Sequence, residues 1–310
     1  MNRLRTDQRG VAILTSMLVV TLSTIIAANL MWRTGLDLRR TEVALAADQT
    51  LMYLQGAEAW AAEILHEDQM ESPDSDHLGE KWAFRLAPLT VEGGLITGRL
   101  EDLQGRFNLN NLINSQGEED QVSRSIFERL LLSLELDPGI AGVAVDWLDV
   151  DGEASFPRGA EDAAYSGTTP PYRVPNSMIT SPSELMAMLG LKQEDYRKLA
   201  PYVTALPIGT KLNVNTASDY VLASLSNDID LPAAGFLIQE QRGASGFVNV
   251  IATFERLVEP DLLSRIDRVS QHFLLAATVS IGTTQITMYS LLQRDDSGIV
   301  RSVFRSLGVE

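Results

Sequence analysis

The first 33 residues constrain this chain more than any other stretch. The 22 residues from Val11 to Trp32 contain no charge, and Asn29 is the only strongly polar side chain among them. An α-helix rises about 1.5 Å per residue, so this run spans roughly 33 Å, enough to cross a bilayer core of about 30 Å. The run predicts a transmembrane helix.

The residues before this run predict its orientation. Arg3, Arg5 and Arg9 stand against a single acid, Asp7. An excess of basic residues on the amino side favours a cytoplasmic amino terminus and an exported body. The run is longer than the apolar core of a secretory signal and lacks a small-x-small cleavage motif. A plain signal anchor is the alternative interpretation.

The junction between leader and helix resembles a type IV prepilin leader. In that pattern a dedicated peptidase cuts after Gly10 and methylates the new amine on Val11, and the apolar helix stays attached to the protein. Helical spacing of apolar residues continues over 36–65 and predicts one long helix, half in lipid and half outside. Counted from Val11 after this cut, Thr15 occupies position five, where major pilins and most pseudopilins carry glutamate. Thr15 is also interpretable as an ordinary membrane threonine that bonds its own helix.

Composition limits the partners of the exported body. The 310 residues carry a formal net charge of −16, with 45% hydrophobic and 21% charged residues. Such a chain can fold around a sizeable core, and its negative charge repels nucleic acid and anionic lipid. Cysteine is absent. No disulfide can form, so stability must come from packing or from bound metal.

The pattern along the chain predicts an α+β protein. The polar, turn-rich stretch 66–80 ends the long helix, and alternation over 81–89 and 95–103 around Gly93-Gly94 predicts a hairpin. Helical spacing recurs between 123 and 242, and alternation returns over 273–281, 285–293 and 299–304. Strands therefore enclose a helical block, which is typical of one α+β domain with a second domain inserted into it.

The densest candidate for chemistry is an acidic segment. It holds one arginine, Arg158, and six carboxylates. The six are Asp146, Asp149, Asp151, Glu153, Glu161 and Asp162. Crowded acids raise one another's pKa unless a cation neutralises them, and hard oxygen ligands in a loop favour Ca²⁺. The segment lacks the second half of an EF-hand. Its residues alone leave two interpretations, a calcium site and a solvated acidic loop.

Residues 212–247 resemble a helix-hairpin-helix unit of competence DNA-uptake proteins. The Gly-x-Gly hairpin that would present amides to phosphate is replaced by a turn containing Asp228 and Asp230. We therefore interpret the unit as a structural helical module in which Asn213 and Asn215 cap turns and helix starts. DNA binding is the weaker alternative.

Catalytic motifs are sparse. The sequence contains no HExxH pair, P-loop or Gly-x-Ser-x-Gly motif, and no cysteine nucleophile. Paired acids can hydrolyse glycosides, but clustering within one short loop is more typical of a metal site. A membrane-anchored hydrolase is therefore the less favoured alternative to a non-enzymatic protein.

Several separated segments together resemble one family, the minor pseudopilin K of the type II secretion system. These are Arg9-Gly10-Val11, 102–112, Asp146-Trp-Leu-Asp149-x-Asp151, Gly159-Ala-Glu161-Asp162-x-x-Tyr165, Pro171-Tyr-Arg-x-x-Asn176, Leu206-Pro and Asn213-Val-Asn-Thr-Ala217. The resemblance runs nearly from end to end. It implies a pilin-like α/β pseudopilin domain that carries a large inserted all-helical domain, similar to sterile-alpha-motif and helix-hairpin-helix folds.

The resemblance also implies domain boundaries. They are a leader at 1–10, a transmembrane helix at 11–32, the first part of the pseudopilin domain at 33–108, an inserted helical domain at 109–270 in two parts (109–212 and 213–270), and final pseudopilin strands at 271–310.

The resemblance further implies a calcium site and a role. The favoured calcium ligands are Asp149, Asp151, Glu161 and Asp162, with Asp146 and Glu153 as further candidates. The protein is expected to be a non-enzymatic subunit in the inner membrane, with its body in the periplasm at the tip of the pseudopilus. It would bind minor pseudopilins I and J and other pseudopilins, prime assembly, and help export folded proteins as cargo. Prepilin peptidase would process it, and it would not bind nucleic acid. The lack of glutamate at position five fits a subunit that has no other subunit above it in the pseudopilus. A DNA-binding competence pseudopilin is the alternative.

Overall fold

The computed structural model of the chain describes residues 8–85 and 87–308, with side chains from Val11 onward. The leader residues Arg3, Arg5 and Asp7 lie outside the described residues. The first element, α1, is a single helix of 64 residues at Gln8–Glu71, which makes it roughly 96 Å long. Every residue from 11 to 40 on it is exposed, and one helix of this length and apolarity can cross a membrane. The prediction of one continuous helix is confirmed.

The second half of α1 packs against the protein body. Leu54, Ala61 and Leu65 are completely or almost completely buried at spacings of seven and four residues, which places them on one helix face. This face covers one side of a sheet whose contributions include Leu100 and Leu275. Burial of these apolar side chains therefore fixes the helix to the sheet.

The predicted hairpin is present with a shorter first strand. Lys81–Ala83 is a 3₁₀ helix, β1 covers only Leu89–Val91, and β2 covers Gly94–Asp102. The prediction of a strand over 81–89 was wrong because the Trp82 indole turns inward. It packs edge-on against Phe273 at 5.2 Å between ring centroids, and Pro88 has no N–H to donate to a ladder.

The segment between β2 and the last three strands is mainly helical. It contains β3 Phe107–Asn108, α2 Gln121–Ser133, α3 Ile140–Leu148, α4 Asp162–Tyr165, α5 Gln193–Leu199, β4 Val203–Thr204, β5 Leu212–Asn213, α6 Asp219–Ser224, α7 Leu231–Phe236, α8 Val250–Phe254, α9 Pro260–Leu263 and β6 Ile266–Asp267. Two short parallel pairs, β3 with β4 and β5 with β6, join distant parts of this block. Its own core extends from Phe107 to Ile266.

The chain then returns to the sheet. Strands β7 His272–Ile281, β8 Thr284–Arg294 and β9 Val300–Leu307 complete a five-stranded antiparallel sheet in the order β1-β2-β7-β8-β9. In its register Leu275 lies opposite Leu100 on one side and Ser290 on the other. The α+β class, with a long amino-terminal helix and an antiparallel sheet, is confirmed.

A buried polar network joins the helical block to the sheet. The Asp102 carboxylate at the end of β2 accepts hydrogen bonds from Asn213 Nδ2 at 3.0 Å and from the Thr216 and Ser270 hydroxyls at 2.6 Å. Burial raises the pKa of Asp102 to about 6. Asn213 therefore joins two parts of the molecule and also caps a turn, since its Oδ1 accepts from the Asn215 N–H at 2.9 Å. The cap of the following helix α6 is Ser218, whose hydroxyl accepts from the Val221 N–H.

Candidate metal centre

The acidic segment begins at the end of α3, a helix that is buried along its whole length. Asp146 is completely buried, and both of its carboxylate oxygens accept from the Ser155 N–H at 3.0 and 3.2 Å. A side chain on Gly159 would collide with Asp146 Oδ2. Asp146 and Gly159 therefore fold the loop 150–159 back over the end of the helix.

The fold brings three of the predicted ligands together. Asp149, Asp151 and Glu161 each contribute one oxygen to a group whose members all lie within 4.8 Å of one another. Asp149 follows α3 directly, and Glu161 stands immediately before α4. Two oxygens bound to one Ca²⁺ at about 2.4 Å can be at most about 4.8 Å apart. The spacing therefore fits a single cation of that size.

Three oxygen atoms around this loop are buried without a hydrogen-bond donor among the described residues. They are Asp149 Oδ1, Glu161 Oε1 and Asn176 Oδ1. The Asn176 amide is held in place because its Nδ2 donates to the Asp151 carbonyl at 3.1 Å. A buried acceptor without a donor is costly, and oxygens of this kind are the ligands that a hard cation prefers.

The electrostatics of the group favour a cation as well. Burial, followed by the charges of Asp151, Asp146 and Glu161, raises the pKa of Asp149 to about 7. Burial and the charge of Asp146 also raise the pKa of Glu161. The neighbouring arginines pair with other acids. Arg158 contacts Asp137, and Arg173 lies 3.8 Å from Asp162. The group therefore presents negative charge that a divalent cation would neutralise.

The other three predicted ligands are placed differently. Asp146 accepts from the Ser155 N–H at the base of the loop. Asp162 accepts from the Val174 N–H at 3.1 Å and faces Arg173, and the exposed Glu153 contributes its own N–H to Asp151 Oδ1 at 2.8 Å. These contacts shape the loop, and the three residues lie outside the group of oxygens within 4.8 Å of one another. Asn176 belongs to the sequence motif Pro171-Tyr-Arg-x-x-Asn176, but sequence reasoning missed its amide oxygen as a candidate ligand.

The leader and position five are only partly described. The Gly10–Val11 bond lies on α1, and side chains before Val11 are outside the described residues. The Thr15 hydroxyl donates to the carbonyl oxygens of Val11 at 3.1 Å and Ala12 at 3.0 Å. Thr15 therefore satisfies its polar group within its own helix and needs no external partner.

A helix that is apolar and exposed in its first half and packed on an antiparallel sheet in its second half defines a pilin-like subunit with one amino-terminal apolar anchor. Comparisons with known proteins agree. The family model for type II secretion system (T2SS) protein K matches residues 105–208. Type II secretion system protein K of Pseudomonas aeruginosa is 36% identical over 98% of this chain and 94% of its own length.

Two further comparisons support the same assignment. Type II secretion system protein K of Pectobacterium carotovorum is 32% identical, over 93% of each chain. A chain in the crystal structure of the GspK-GspI-GspJ complex from enterotoxigenic Escherichia coli has the same fold, with a TM-score of 0.76 and 23% identity, and the match covers 87% of this chain and 100% of that chain. The protein belongs to the type II secretion system protein K family of pseudopilins, whose members are generally structural proteins.

Proposed function

We propose that this protein is the minor pseudopilin at the tip of a periplasmic pseudopilus, where it joins minor pseudopilins I and J, initiates assembly and supports export of folded proteins across the outer membrane. The main support for this proposal is the similarity of the chain to protein K over 98% of its length. The structural neighbour is part of a complex with GspI and GspJ, which supports the choice of partners. The role is non-enzymatic.

The size of the helical block supports the tip position. We propose that 109–270 forms an inserted, sterile-alpha-motif-like domain in two parts, 109–212 and 213–270, between the first part of the pseudopilin domain (helix and hairpin, 33–108) and its final strands (271–310). The block has a core of its own, separate from the core between α1 and the sheet. A block of this size would collide with neighbours if the subunit were stacked repeatedly along a fibre.

The tip position is testable by counting and locating the subunit. Labelled protein in isolated pseudopili should be found at one end only, and the full chain should co-purify with pseudopilins I and J from detergent extracts. Labelling at regular intervals along the fibre would overturn the tip assignment. Deletion of the gene should abolish export of the system's substrates, and expression of the wild-type chain should restore it.

The membrane topology follows from α1. We propose one membrane pass with the amino terminus in the cytoplasm, the body in the periplasm, and cleavage by prepilin peptidase between Gly10 and Val11 followed by methylation. Gly10→Val should block cleavage. Gly35→Val is the matched control, since Gly35 lies on the same helix with nothing within 4 Å of an added Cβ. Mass spectrometry of mature protein that begins at Met1 would contradict the processing proposal.

Thr15 supports a subunit without a neighbour above it. A carboxylate at this position would have no incoming amine to pair with, and a charge in the membrane costs on the order of 2 to 3 kcal/mol on insertion scales. Thr15→Glu should therefore impair secretion, whereas Thr15→Ser, which keeps the hydroxyl, should not. Improved secretion by Thr15→Glu would argue against the tip position.

We also propose that the loop cluster, defined as Asp149, Asp151 and Glu161, binds Ca²⁺ with the Asn176 amide oxygen as a further ligand. The buried oxygens without donors, the spacing of the three carboxylates and the pairing of the neighbouring arginines with other acids support this proposal. When bound, the cation would neutralise the cluster and join the end of α3 to the start of α4. Its effect is structural, since it fixes a loop on the surface of the helical block.

A further inference from the structure

A second group of buried carboxylates lies where the end of α1 meets the sheet. This junction cluster consists of Asp68 in the last turns of α1, and Asp76 and Glu80 in the segment that follows. They are 8%, 1% and 9% exposed. One oxygen from each lies within 4.8 Å of the oxygens of the other two. Three carboxylates are therefore packed into one desolvated site more than 65 residues away in sequence from the loop cluster.

Arg294 at the end of β8 neutralises part of this charge. Its Nη2 donates to both oxygens of Asp76 at 2.5 and 2.6 Å, and its Nη1 donates to Asp68 Oδ2 at 3.1 Å. The guanidinium is 2% exposed and also bonds the carbonyl oxygens of Leu65 and Ser270. Its donors are directed at the two aspartates and the backbone, and none of these bonds reaches Glu80.

One carboxylate oxygen of Glu80 accepts hydrogen bonds, and the other has no donor among the described residues. Its Oε2 accepts from the His77 N–H at 2.9 Å and from the Trp82 indole N–H at 2.8 Å. Its Oε1 is buried and has no hydrogen-bond donor among the described residues. This oxygen belongs to a side chain that is 8% exposed, and the Glu80 carboxylate is one of the three that converge in the cluster. An open buried carboxylate oxygen of this kind is costly without a ligand.

The nearest ring does not supply the missing charge. His77 Nε2 is 3.5 Å from Glu80 Oε1, which is too long for a good hydrogen bond. The Gly79 N–H donates to His77 Nδ1 at 3.1 Å. Only an unprotonated ring nitrogen can accept that bond, so the geometry fits the neutral ring with its proton on Nε2. Three carboxylates and one guanidinium therefore leave two negative charges in excess.

We propose that Asp68, Asp76 and Glu80 bind a second Ca²⁺ ion. One divalent cation balances the two excess charges and fills the open coordination of Glu80 Oε1. The ligands are hard oxygens at a spacing that Ca²⁺ accommodates. The ion would join the end of the long helix to the segment that leads into the sheet. The supporting geometry is separate from that of the loop cluster, and either site can exist without the other.

The test is the number of calcium ions bound by the full chain in detergent, measured by equilibrium dialysis against radioactive calcium in chelator-treated buffer. Wild type should bind two ions per chain. Glu80→Gln should bind one, because the amide can still accept from Trp82 while its NH₂ replaces Oε1. Asp68→Asn is the second variant if Glu80→Gln fails to fold. Glu71→Gln is the matched control, since that exposed acid pairs with Lys81 outside the cluster, and it should still bind two.

The outcomes separate the two sites. Asp149→Asn combined with Glu161→Gln should lose the loop ion and retain the junction ion. If the loop cluster binds no ion and the junction cluster does, wild type should bind one ion and Glu80→Gln should bind none. If wild type binds one ion that Glu80→Gln leaves in place, the junction cluster is neutralised by protons alone and the second site is rejected. Equal binding by Glu80→Gln and Glu71→Gln would reject it as well.

Discussion

The loop cluster and the junction cluster are both groups of three carboxylates, but only the junction cluster has a buried arginine that neutralises part of its charge. In the loop cluster the nearby arginines pair with other acids. In the junction cluster Arg294 is buried among the carboxylates and bonds two of them. The loop cluster also has an exposed member, Asp151, whereas every acid of the junction cluster is buried.

This difference indicates two ways of tolerating buried acids. An arginine is part of the chain, so its ion pairs stabilise the folded protein at all ligand concentrations. A bound cation depends on its concentration, so its contribution to stability can be added or removed. We therefore expect the junction cluster to depend on Arg294 as well as on its proposed ion, and the loop cluster to depend on its ion alone, with the greater loss of stability when Arg294 is replaced.

Removal of the buried guanidinium should have the largest effect. Arg294→Met leaves Asp68 and Asp76 buried without their cation, and breaking a buried pair in this way costs about 3–5 kcal/mol. Urea unfolding of the full chain should show a correspondingly lower free energy of unfolding. Arg301→Met is the control, because Arg301 is exposed and lies 3.9 Å from Asp295, and it should change stability little. Equal effects of the two variants would contradict the assigned role of Arg294.

Loss of the loop carboxylates should remove only the stability that depends on calcium. At a calcium concentration a hundredfold above Kd, a ligand that binds only the folded state stabilises it by roughly 2.7 kcal/mol. Asp149→Ala with Asp151→Ala should lose that increment in thermal unfolding, and in chelator it should be no less stable than wild type, because the repulsion between the carboxylates is removed. Glu153→Gln with Asp162→Asn should retain it, since those side chains lie outside the cluster. Retention by the first pair would exclude Asp149 and Asp151 as ligands.

The stabilisation of the protein by calcium should increase with pH. The pKa of Asp149 is about 7 in the folded protein and about 3.9 in an unfolded chain. Without metal, its contribution to stability is complete below about pH 4 and is lost as the pH rises through 7. Calcium binds the ionised carboxylate, so the calcium-induced rise in Tm should be larger at pH 8 than at pH 6. Asp149→Asn should abolish this difference; a pH-independent rise in wild type would contradict the shifted pKa.

The smallest effect is expected at Asn176. Its backbone has a φ of +46°, a region that glycine tolerates, so Asn176→Gly removes the amide oxygen without backbone strain. We expect calcium affinity to fall about fivefold, or about 1 kcal/mol. Asn176→Asp keeps an oxygen at the same place and should bind at least as tightly as wild type. Identical affinities for all three proteins would remove Asn176 from the ligand set.

The loop cluster was accessible from sequence because its ligands are close together in the chain. Asp149 and Asp151 are two residues apart, and Glu161 follows within the same loop. The sequence could not separate these ligands from Asp146, which is equally acidic, because the direction of the Asp146 side chain depends on the Ser155 N–H it accepts from. Asn176 was not recognised because its role depends on a contact with the Asp151 carbonyl across 25 residues.

The burial of the junction cluster could not be predicted, because its three acids are close together in a polar stretch and the arginine that pairs with them comes from the other end of the chain. Arg294 and Asp76 are 218 residues apart, and they meet only when β8 pairs beside β7 and the end of α1 covers the sheet. Local patterns predicted the long helix, the last three strands and most of the helices. They failed at residues 81–89, where burial of Trp82 outweighs an alternating pattern.

Thermal unfolding of the wild-type chain, with millimolar calcium and with chelator, is the decisive measurement for a cation in the loop cluster. A cation held by Asp149, Asp151 and Glu161 stabilises only the folded state, so calcium should raise the Tm by several degrees and chelation should reverse the rise. Substitution of the loop carboxylates should remove the part of the shift that belongs to this site. Identical unfolding curves for wild type in calcium and in chelator would contradict calcium binding and leave the segment a solvated acidic loop.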